Sequence, residues 1–70
     1  MSSIMTLGEK IKYLREEKEI TQQKLADVLN INRVTLTGYE IGRRTPDVYT
    51  LKKIADYLEV TIDYLLEENL

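Results

Sequence analysis

The stretch Thr21–Gly42, TQQKLADVLNINRVTLTGYEIG, predicts two short helices joined by a tight turn. Thr21 suits the N-cap of the first of these helices, because its hydroxyl can accept from a backbone N–H one turn further on. Asn30 falls where the chain must turn, and asparagine tolerates the left-handed backbone region better than most residues. Asn32 is expected to cap the second helix, and Gly42 to follow its last turn. Two helices joined by a turn of about three to four residues form a helix-turn-helix unit.

Apolar residues at helical spacing predict which faces of these two helices are buried. The buried face of the first is expected to hold Leu25, Ala26 and Leu29. The buried face of the second is expected to hold Leu36 and Tyr39.

A further helix is expected before this unit. Thr6 can cap it and Glu9 can complete a capping box, in which each side chain accepts from the other residue's backbone N–H. The helix is expected to run to about Lys18, and residues 1–5 before it are expected to be disordered. Glu19 follows at a corner, where a left-handed backbone would cost about 1 kcal/mol for a residue other than glycine.

Two more helices are expected after the unit. Asp47 can cap a helix of about residues 48–58, and Thr61 can cap a short one after it. The sequence has no strand signal and no internal repeat. It therefore predicts an all-α fold of five helices, compact and organised as one domain over residues 6–67, with residues 68–70 as a tail.

Composition limits the possible functions. The chain has 70 residues, which make one domain at most. It has no Cys and no His, so it lacks the commonest general base and metal ligand. We therefore expect no metal, no cofactor and no small-molecule effector, and we do not expect an enzyme. The lack of Cys is compatible with a reducing cytoplasm, and no apolar run is long enough to span a membrane.

Charge is distributed unevenly along the chain, whose net charge is −2. Residues 33–53 carry five basic and two acidic side chains, whereas residues 54–70 carry five acidic and no basic ones. A basic segment can face the phosphate groups of nucleic acid while an acidic tail faces away. The alternative is that these charges only keep the protein soluble, and charge alone does not decide between the two.

The motifs of the chain resemble those of the phage repressor and Cro-like helix-turn-helix family, also called the XRE family. The shared pattern is T-Q-x-x-L-A, a turn, an Asn- or Ser-capped helix and Y-E-x-G, followed by R-x-P-D, L-x-x-I-A and V-x-x-D-Y-L-L in residues 44–66. The resemblance covers about residues 6–67. It implies the compact five-helix fold of the lambda-repressor-like DNA-binding domains. It also implies a cytoplasmic transcriptional regulator, a repressor that binds a palindromic operator in double-stranded DNA as a homodimer.

The resemblance further implies which residues read bases. Arg33, Val34 and Gly38 occupy the family's base-reading positions, and Thr37 lies close by. If the N-terminal end of their helix enters the major groove, Arg33 can pair with guanine and Val34 can pack on a thymine methyl group. Gly38 has no side chain to read a base, but it would let the helix backbone approach the DNA closely. The alternative for all four is a solvated helix face.

Four other residues are predicted to contact phosphate groups. Gln22 resembles the family's phosphate-contacting glutamine, and the free N–H groups of its helix end suit an anion. Arg43 follows the second helix of the unit and is a second candidate. Arg44 and Lys52 are further candidates, and any of the four could instead be surrounded by water alone.

A structural ion pair is predicted between Arg15 and Glu40. Glu40 lies one turn after Leu36 and therefore points inward, where a carboxylate needs a partner. Arg15 lies on the inner edge of the first helix, and the resemblance pairs these two positions. Two exposed charges are the alternative.

The end of the chain has more apolar residues than a two-turn helix can bury on one side. Part of this surface must close the core. The remainder, around Leu65 or Leu66 with Leu70, is predicted to form the contact between two copies in a homodimer. The alternative is a monomer.

Two functions therefore remain. The first is a sequence-specific, DNA-binding regulator of transcription. The second is a protein-interaction module of the same fold, of the antitoxin or coactivator type, which does not read DNA. The set of Gln22, Arg33 and Arg43 favours the first, because an interaction module need not retain it.

Overall fold

The computed structural model describes residues 5–67, so the predictions for residues 1–4 and for the tail at 68–70 lie outside this part of the chain. The described part forms five α-helices and no strand: α1 Leu7–Glu17, α2 Gln22–Leu29, α3 Arg33–Glu40, α4 Val48–Leu58 and α5 Ile62–Leu66. The predicted all-α fold of five helices is confirmed. None of these five helices combines the length and the apolar character that crossing a membrane requires.

Side chains cap four of these helices as the sequence predicts. The Thr6 hydroxyl accepts from Glu9 N at 3.1 Å and the Glu9 carboxylate accepts from Thr6 N at 2.9 Å, so α1 begins with a capping box. A side-chain oxygen also accepts from the N–H three residues on at the starts of α2, α4 and α5, at 3.0, 2.8 and 2.9 Å, through Thr21, Asp47 and Thr61. Asn32 occupies the N-cap position of α3 but makes no side-chain hydrogen bond there.

The cap at Asp47 also shifts an ionisation. The backbone N–H and the hydroxyl of Thr50 both stabilise the carboxylate, and they lower the pKa of Asp47 below its ordinary value. Because the folded pKa lies below the unfolded one, this cap stabilises the fold above the unfolded pKa. Its contribution is lost as the pH falls through the folded value.

Three helices end in the same way, at a residue other than glycine in the left-handed region. These residues are Glu19, Asn30 and Glu59, with φ of 58°, 59° and 61°. In each case the next residue donates back to the helix, closing the six-residue loop of a Schellman motif. Each of these next residues is apolar and packs against the core: Ile20, Ile31 and Val60. The sequence predicts a left-handed backbone at Asn30 and raises it as an alternative at Glu19, and the structure adds Glu59.

The core draws on all five helices. It contains Ile11, Leu25, Ala26, Leu29, Leu36, Tyr39, Leu51, Ile54, Ala55, Leu58 and Leu65. The buried faces predicted for the two helices of the Thr21–Gly42 unit are therefore present. This core holds α3 by one side only, which leaves its other side at the surface.

Gly8 allows α1 to approach the end of α3 very closely. A Cβ atom at this position would overlap the Tyr39 carbonyl oxygen and lie 2.5 Å from the Glu40 carbonyl oxygen. Both neighbours are backbone atoms, which cannot move aside as a flexible side chain can. The absence of a side chain at Gly8 thus sets how α3 lies on α1.

Lys10 is buried, which the sequence analysis did not predict. Its ammonium group donates to the Tyr64 carbonyl oxygen at 2.8 Å and to the Glu67 carbonyl oxygen, and it lies 5.0 Å from the centre of the Tyr64 ring. The last carbonyl groups of a helix have no partner within the helix, and a cation is favourable beside them. Lys10 therefore ties the end of α5 to α1.

Candidate nucleic-acid interface

Helices α2 and α3 form the predicted helix-turn-helix unit. Asn30 turns the chain through its left-handed backbone, and Ile31 N donates to Ala26 O at 3.0 Å. Three residues separate the two helices. Because Leu36 is fully buried while Arg33 is exposed, α3 presents a defined side to solvent.

The exposed side of α3 is widest at its N-terminal end. Arg33 is exposed, Val34 is 77% exposed, and Thr37 one turn further on is half-buried. An aliphatic side chain this exposed is accessible to a partner such as a thymine methyl group. The structure therefore places three of the four predicted base-contacting residues on one accessible surface.

Gly38 does not belong to that open surface. It is buried because the stem of Arg44 crosses it, so that a Cβ atom at Gly38 would lie 3.3 Å from Arg44 Cδ and 3.4 Å from Arg44 Cγ. The chain returns to this point because the N–H groups of Arg43 and Arg44 both donate to the Gly38 carbonyl oxygen, at 2.9 and 3.1 Å. The expectation that Gly38 opens the helix backbone to DNA is thus corrected, because a side chain from the following loop covers it.

Gln22 joins the exposed side of α3 to the interior. Its Nε2 donates to Glu40 Oε1 at 3.0 Å, while its Oε1 lies 3.2 Å from Thr37 Oγ1 and 3.4 Å from Arg33 Nη1. The Thr37 hydroxyl also lies 3.0 Å from the Arg33 carbonyl oxygen, and its single proton serves one of the two acceptors. A phosphate contact by Gln22 would therefore replace one of these bonds or use its backbone N–H.

Arg15 and Glu40 meet beneath this network. Arg15 Nε donates to Glu40 Oε2 at 2.8 Å and Nη2 to Oε1 at 3.2 Å, while Nη1 donates to the Ile20 carbonyl oxygen at 2.8 Å. The two side chains are only 9% and 2% exposed. The bond to Glu40 raises the pKa of Arg15 above its ordinary value, against the opposing effect of burial. Together with Gln22, the pair connects α1, α2 and α3.

The predicted phosphate-contacting cations differ in their surroundings. Arg43 and Arg44 are exposed, and among residues 5–67 their guanidinium groups have no hydrogen-bond or ion-pair partner. Lys52 Nζ lies 3.8 Å from Asp56 Oδ2 on α4, in an exposed pair of the kind that contributes little stability. Arg33, Arg43 and Arg44 are thus the cations that α3 and its following loop offer to a ligand.

The predicted dimer residues lie in different environments. Leu65 is 1% exposed because α5 turns it toward the core, so the prediction that it meets a second copy is wrong. Leu66 is 58% exposed and remains accessible. Leu70 lies outside the described residues.

Sequence reasoning missed two groups that support this surface. The first is the Gln22 amide, which bonds Glu40 on one side and lies beside Thr37 and Arg33 on the other, whereas the sequence predicts only a phosphate contact for it. The second is the stem of Arg44 across Gly38, for which the pattern gave no signal because loop and helix meet only in the fold. No group of His, Cys, Asp and Glu side chains within residues 5–67 could hold a metal ion.

The α2–α3 unit, two helices joined by a short turn with one side of the second helix open to solvent, places this five-helix domain in the helix-turn-helix class. The family described as "Helix-turn-helix" matches residues 11–65. The chain belongs to this family, which confirms the resemblance of its motifs.

Individual relatives agree with this assignment. The chain is 48% identical over 60 residues to the uncharacterized HTH-type transcriptional regulator YqaE of Bacillus subtilis, a match that covers 86% of the chain and 52% of YqaE. Three of the most similar curated relatives are covered to 52%, 56% and 51%, so the chain spans about half of their length.

Two solved structures have the same fold. The P22 c2 repressor protein, in complex with a synthetic operator, has a TM-score of 0.86 at 25% identity, over 90% of this chain and 96% of that one. SinR, a master regulator for biofilm formation solved in complex with DNA, has a TM-score of 0.81 at 28% identity, over 89% of this chain and 100% of that one.

Proposed function

We propose that this chain is a sequence-specific, DNA-binding regulator of transcription, a repressor that acts in the cytoplasm. The observation that carries the proposal is the accessible surface of Arg33, Val34 and Thr37 on α3. The buried ion pair between Arg15 and Glu40 fixes the opposite side of this helix to α1. Relatives that are named transcriptional regulators, and the P22 c2 and SinR structures with DNA, support it. An enzymatic function is not proposed.

In this proposal the N-terminal end of α3 enters the major groove. Arg33 pairs with the O6 and N7 atoms of a guanine, and Val34 packs on the methyl group of a thymine. Arg33 Nη1 donates to Gln22 Oε1 at 3.4 Å. This long, weak hydrogen bond restricts the guanidinium group only loosely. Arg33 can therefore exchange this partner for a base at small cost.

Phosphate contacts then fix the position of α3 in the groove. Arg43 lies just after α3, and Gln22 lies at the first turn of α2, whose backbone N–H groups favour an anion. Lys52 contributes on α4 if it leaves Asp56, to which it is only weakly bound. Such contacts orient the protein on the duplex and carry no sequence information of their own.

The affinity for duplex DNA is expected to fall steeply as salt is added. Two to three cations per protomer that neutralise phosphates predict a slope of about −2 to −3 for each protomer bound, in a plot of log affinity against log salt concentration. Fluorescence anisotropy with a labelled duplex, obtained by selection from random DNA, measures it. Arg43→Ala should reduce the slope by about one per protomer. Salt-independent binding, or no binding to any selected duplex, would favour the protein-interaction module instead.

Mutations are expected to separate base reading from positioning. Arg33→Ala should lose about 1–3 kcal/mol of discrimination at one base position, because a bidentate contact to guanine disappears. Arg43→Ala should weaken the binding of all sequences alike, because a phosphate contact is the same at every sequence. Competition binding against operator variants that each carry one changed base pair compares the two. An Arg33→Ala protein with unchanged preference at every position would contradict the base contact.

We also propose that two copies bind a palindromic operator, with half-sites about 34–36 Å apart along the duplex. A two-fold contact needs accessible apolar surface, and with Leu65 buried the remaining candidate on α5 is Leu66. Val48 and Tyr49, at the start of α4, are 71% and 80% exposed and offer a second apolar patch. Symmetric use of one patch closes a dimer.

A modest dimer is expected without DNA, with a dissociation constant on the order of micromolar, because the accessible apolar patches are small. Sedimentation equilibrium over a wide concentration range, with and without a duplex that carries both half-sites, measures the stoichiometry. Leu66→Ser and Tyr49→Ser show which patch forms the contact, and Val28→Ser, at a 39% exposed position on α2, is the control. Only one protomer on the two-half-site duplex would refute the dimer.

A further inference from the structure

One turn after Val34, on the same side of α3, position 38 is a glycine and has no side chain. Gly38 lies four residues after Val34, so the two positions share one side of the helix, one turn apart. Any other residue at position 38 would project beside Val34. In this chain that space is filled from the loop, where Arg44 Cδ, Cγ and Cβ lie 3.3, 3.4 and 3.6 Å from the place of a Cβ at Gly38.

We propose that Arg44 reads a base edge in the major groove from the place that a side chain at position 38 would occupy. This rests on the proposed function, and it replaces the phosphate contact that the sequence suggested for Arg44. The target would be a guanine at a base pair next to the one that Val34 contacts, toward the C-terminal end of α3.

The backbone holds Arg44 in this place. Gly42, with φ of 83°, reverses the chain after α3 in a conformation that other residues rarely adopt. The N–H groups of Arg43 and Arg44 then both donate to the Gly38 carbonyl oxygen. These two bonds attach the loop to the turn of α3 that the Arg44 stem covers. The stem therefore keeps its position relative to α3 when α3 enters a groove.

The guanidinium group of Arg44 is available to a ligand. Within the described residues 5–67 it has no carboxylate or carbonyl partner, whereas Arg15 is fully engaged and Lys52 lies near Asp56. Packing of its stem on Gly38 restricts the side chain before DNA is bound, which reduces the ordering cost of binding. The planar guanidinium group at the end of this stem has the bidentate geometry that guanine O6 and N7 require.

The experiment compares base preference position by position. Wild type and four variants, Arg44→Ala, Arg44→Lys, Gly38→Ala and Arg43→Ala, are titrated against the selected operator and its single-base-pair variants. Arg44→Ala should lose roughly tenfold discrimination at one position, different from the one that Arg33→Ala relaxes. Arg44→Lys should lose part of it, because lysine lacks the bidentate fork. Arg43→Ala, the control from the same loop, should weaken every duplex by the same factor.

Gly38→Ala tests the placement itself without removing the arginine. Its Cβ would lie 3.3 Å from Arg44 Cδ, so the stem has to shift by a few tenths of an ångström while the helix stays intact. We expect discrimination to fall at the same position as in Arg44→Ala, with an unchanged or higher melting temperature, since alanine favours a helix more than glycine does.

Two results would overturn the inference while leaving DNA binding in place. Arg44→Ala could weaken all duplexes equally, which would make Arg44 a phosphate contact. Gly38→Ala could leave the preference unchanged, which would show that Arg44 does not act from position 38. A wild-type protein that binds no selected duplex would instead overturn the proposed function itself.

Discussion

Replacing Arg15 by leucine is expected to lower the free energy of unfolding by about 3–5 kcal/mol, because it leaves the buried Glu40 carboxylate without its cation. Glu40 is 2% exposed, and the amide of Gln22 would be its remaining side-chain donor. A chain of this size has a total stability of about 4–10 kcal/mol. The single change is therefore expected to remove a large part of it and to lower the melting temperature by roughly 15–30 °C.

The companion experiment is a double-mutant cycle by urea denaturation. Glu40→Leu alone should cost a similar amount, because Arg15 would then be buried with one acceptor among residues 5–67, the Ile20 carbonyl oxygen. The double change to apolar residues should cost clearly less than the sum of the two. Lys18→Ala, which breaks the exposed pair with Glu59 at 3.0 Å, is the control and should cost under about 1 kcal/mol. Strictly additive losses would mean that the two charges do not stabilise each other.

Gly8→Ala is expected to destabilise the domain by about 3 kcal/mol or more, although alanine is ordinarily the better helix former. Its Cβ would overlap the Tyr39 carbonyl oxygen and lie 2.5 Å from the Glu40 carbonyl oxygen. Helix α1 would have to move away from α3, and this would also pull Arg15 from Glu40. The higher helix propensity of alanine would stabilise the domain and the steric overlap would destabilise it, and the overlap is expected to be the larger effect.

Thermal and urea unfolding of Gly8→Ala and Gly38→Ala make a matched comparison. Both glycines lie inside helices, but the atoms around Gly38 belong to a flexible side chain, at 3.3 Å and beyond. Gly38→Ala should therefore be neutral or stabilising, whereas Gly8→Ala should be strongly destabilising. Equal stability of the two variants would show that α1 and α3 do not pack as closely as described.

The sequence predicted helices and caps well, because both depend on residues close in the chain. Helical spacing gave the buried faces, and Thr6, Thr21, Asp47 and Thr61 mark helix starts where the structure has them. Asn32 shows the limit of this approach. Its position was right, but whether an N-cap side chain bonds the first turn depends on its rotamer, which the pattern of residues does not encode.

Contacts between helices were harder to predict. Lys10 lies three residues after Leu7 and four before Leu14, two apolar residues of α1 that pack against the core, and this spacing is the signal for its burial. Its partners are backbone carbonyl groups at the end of α5 and just after it, which leave no mark in the sequence. Leu65 and Leu66 could not be told apart, because on a helix of five residues one position decides which side chain meets the core. Gly38 was misjudged because only the fold brings Arg44 across it.

The division of α3 into a buried and an exposed side has an evolutionary consequence. Substitutions at Arg33 and Val34 touch little of the core, and exposed positions of this kind usually change stability by under about 0.5 kcal/mol. Under the proposed function, new operators are thus expected to arise by single mutations there while the fold is kept. Position 38 is different, since a Cβ atom there would lie 3.3 Å from Arg44 Cδ and would press on the stem of Arg44. If Arg44 reads a base from this position, a new base preference there is expected to involve helix and loop together, and positions 38 and 44 are expected to covary among lineages that share this architecture.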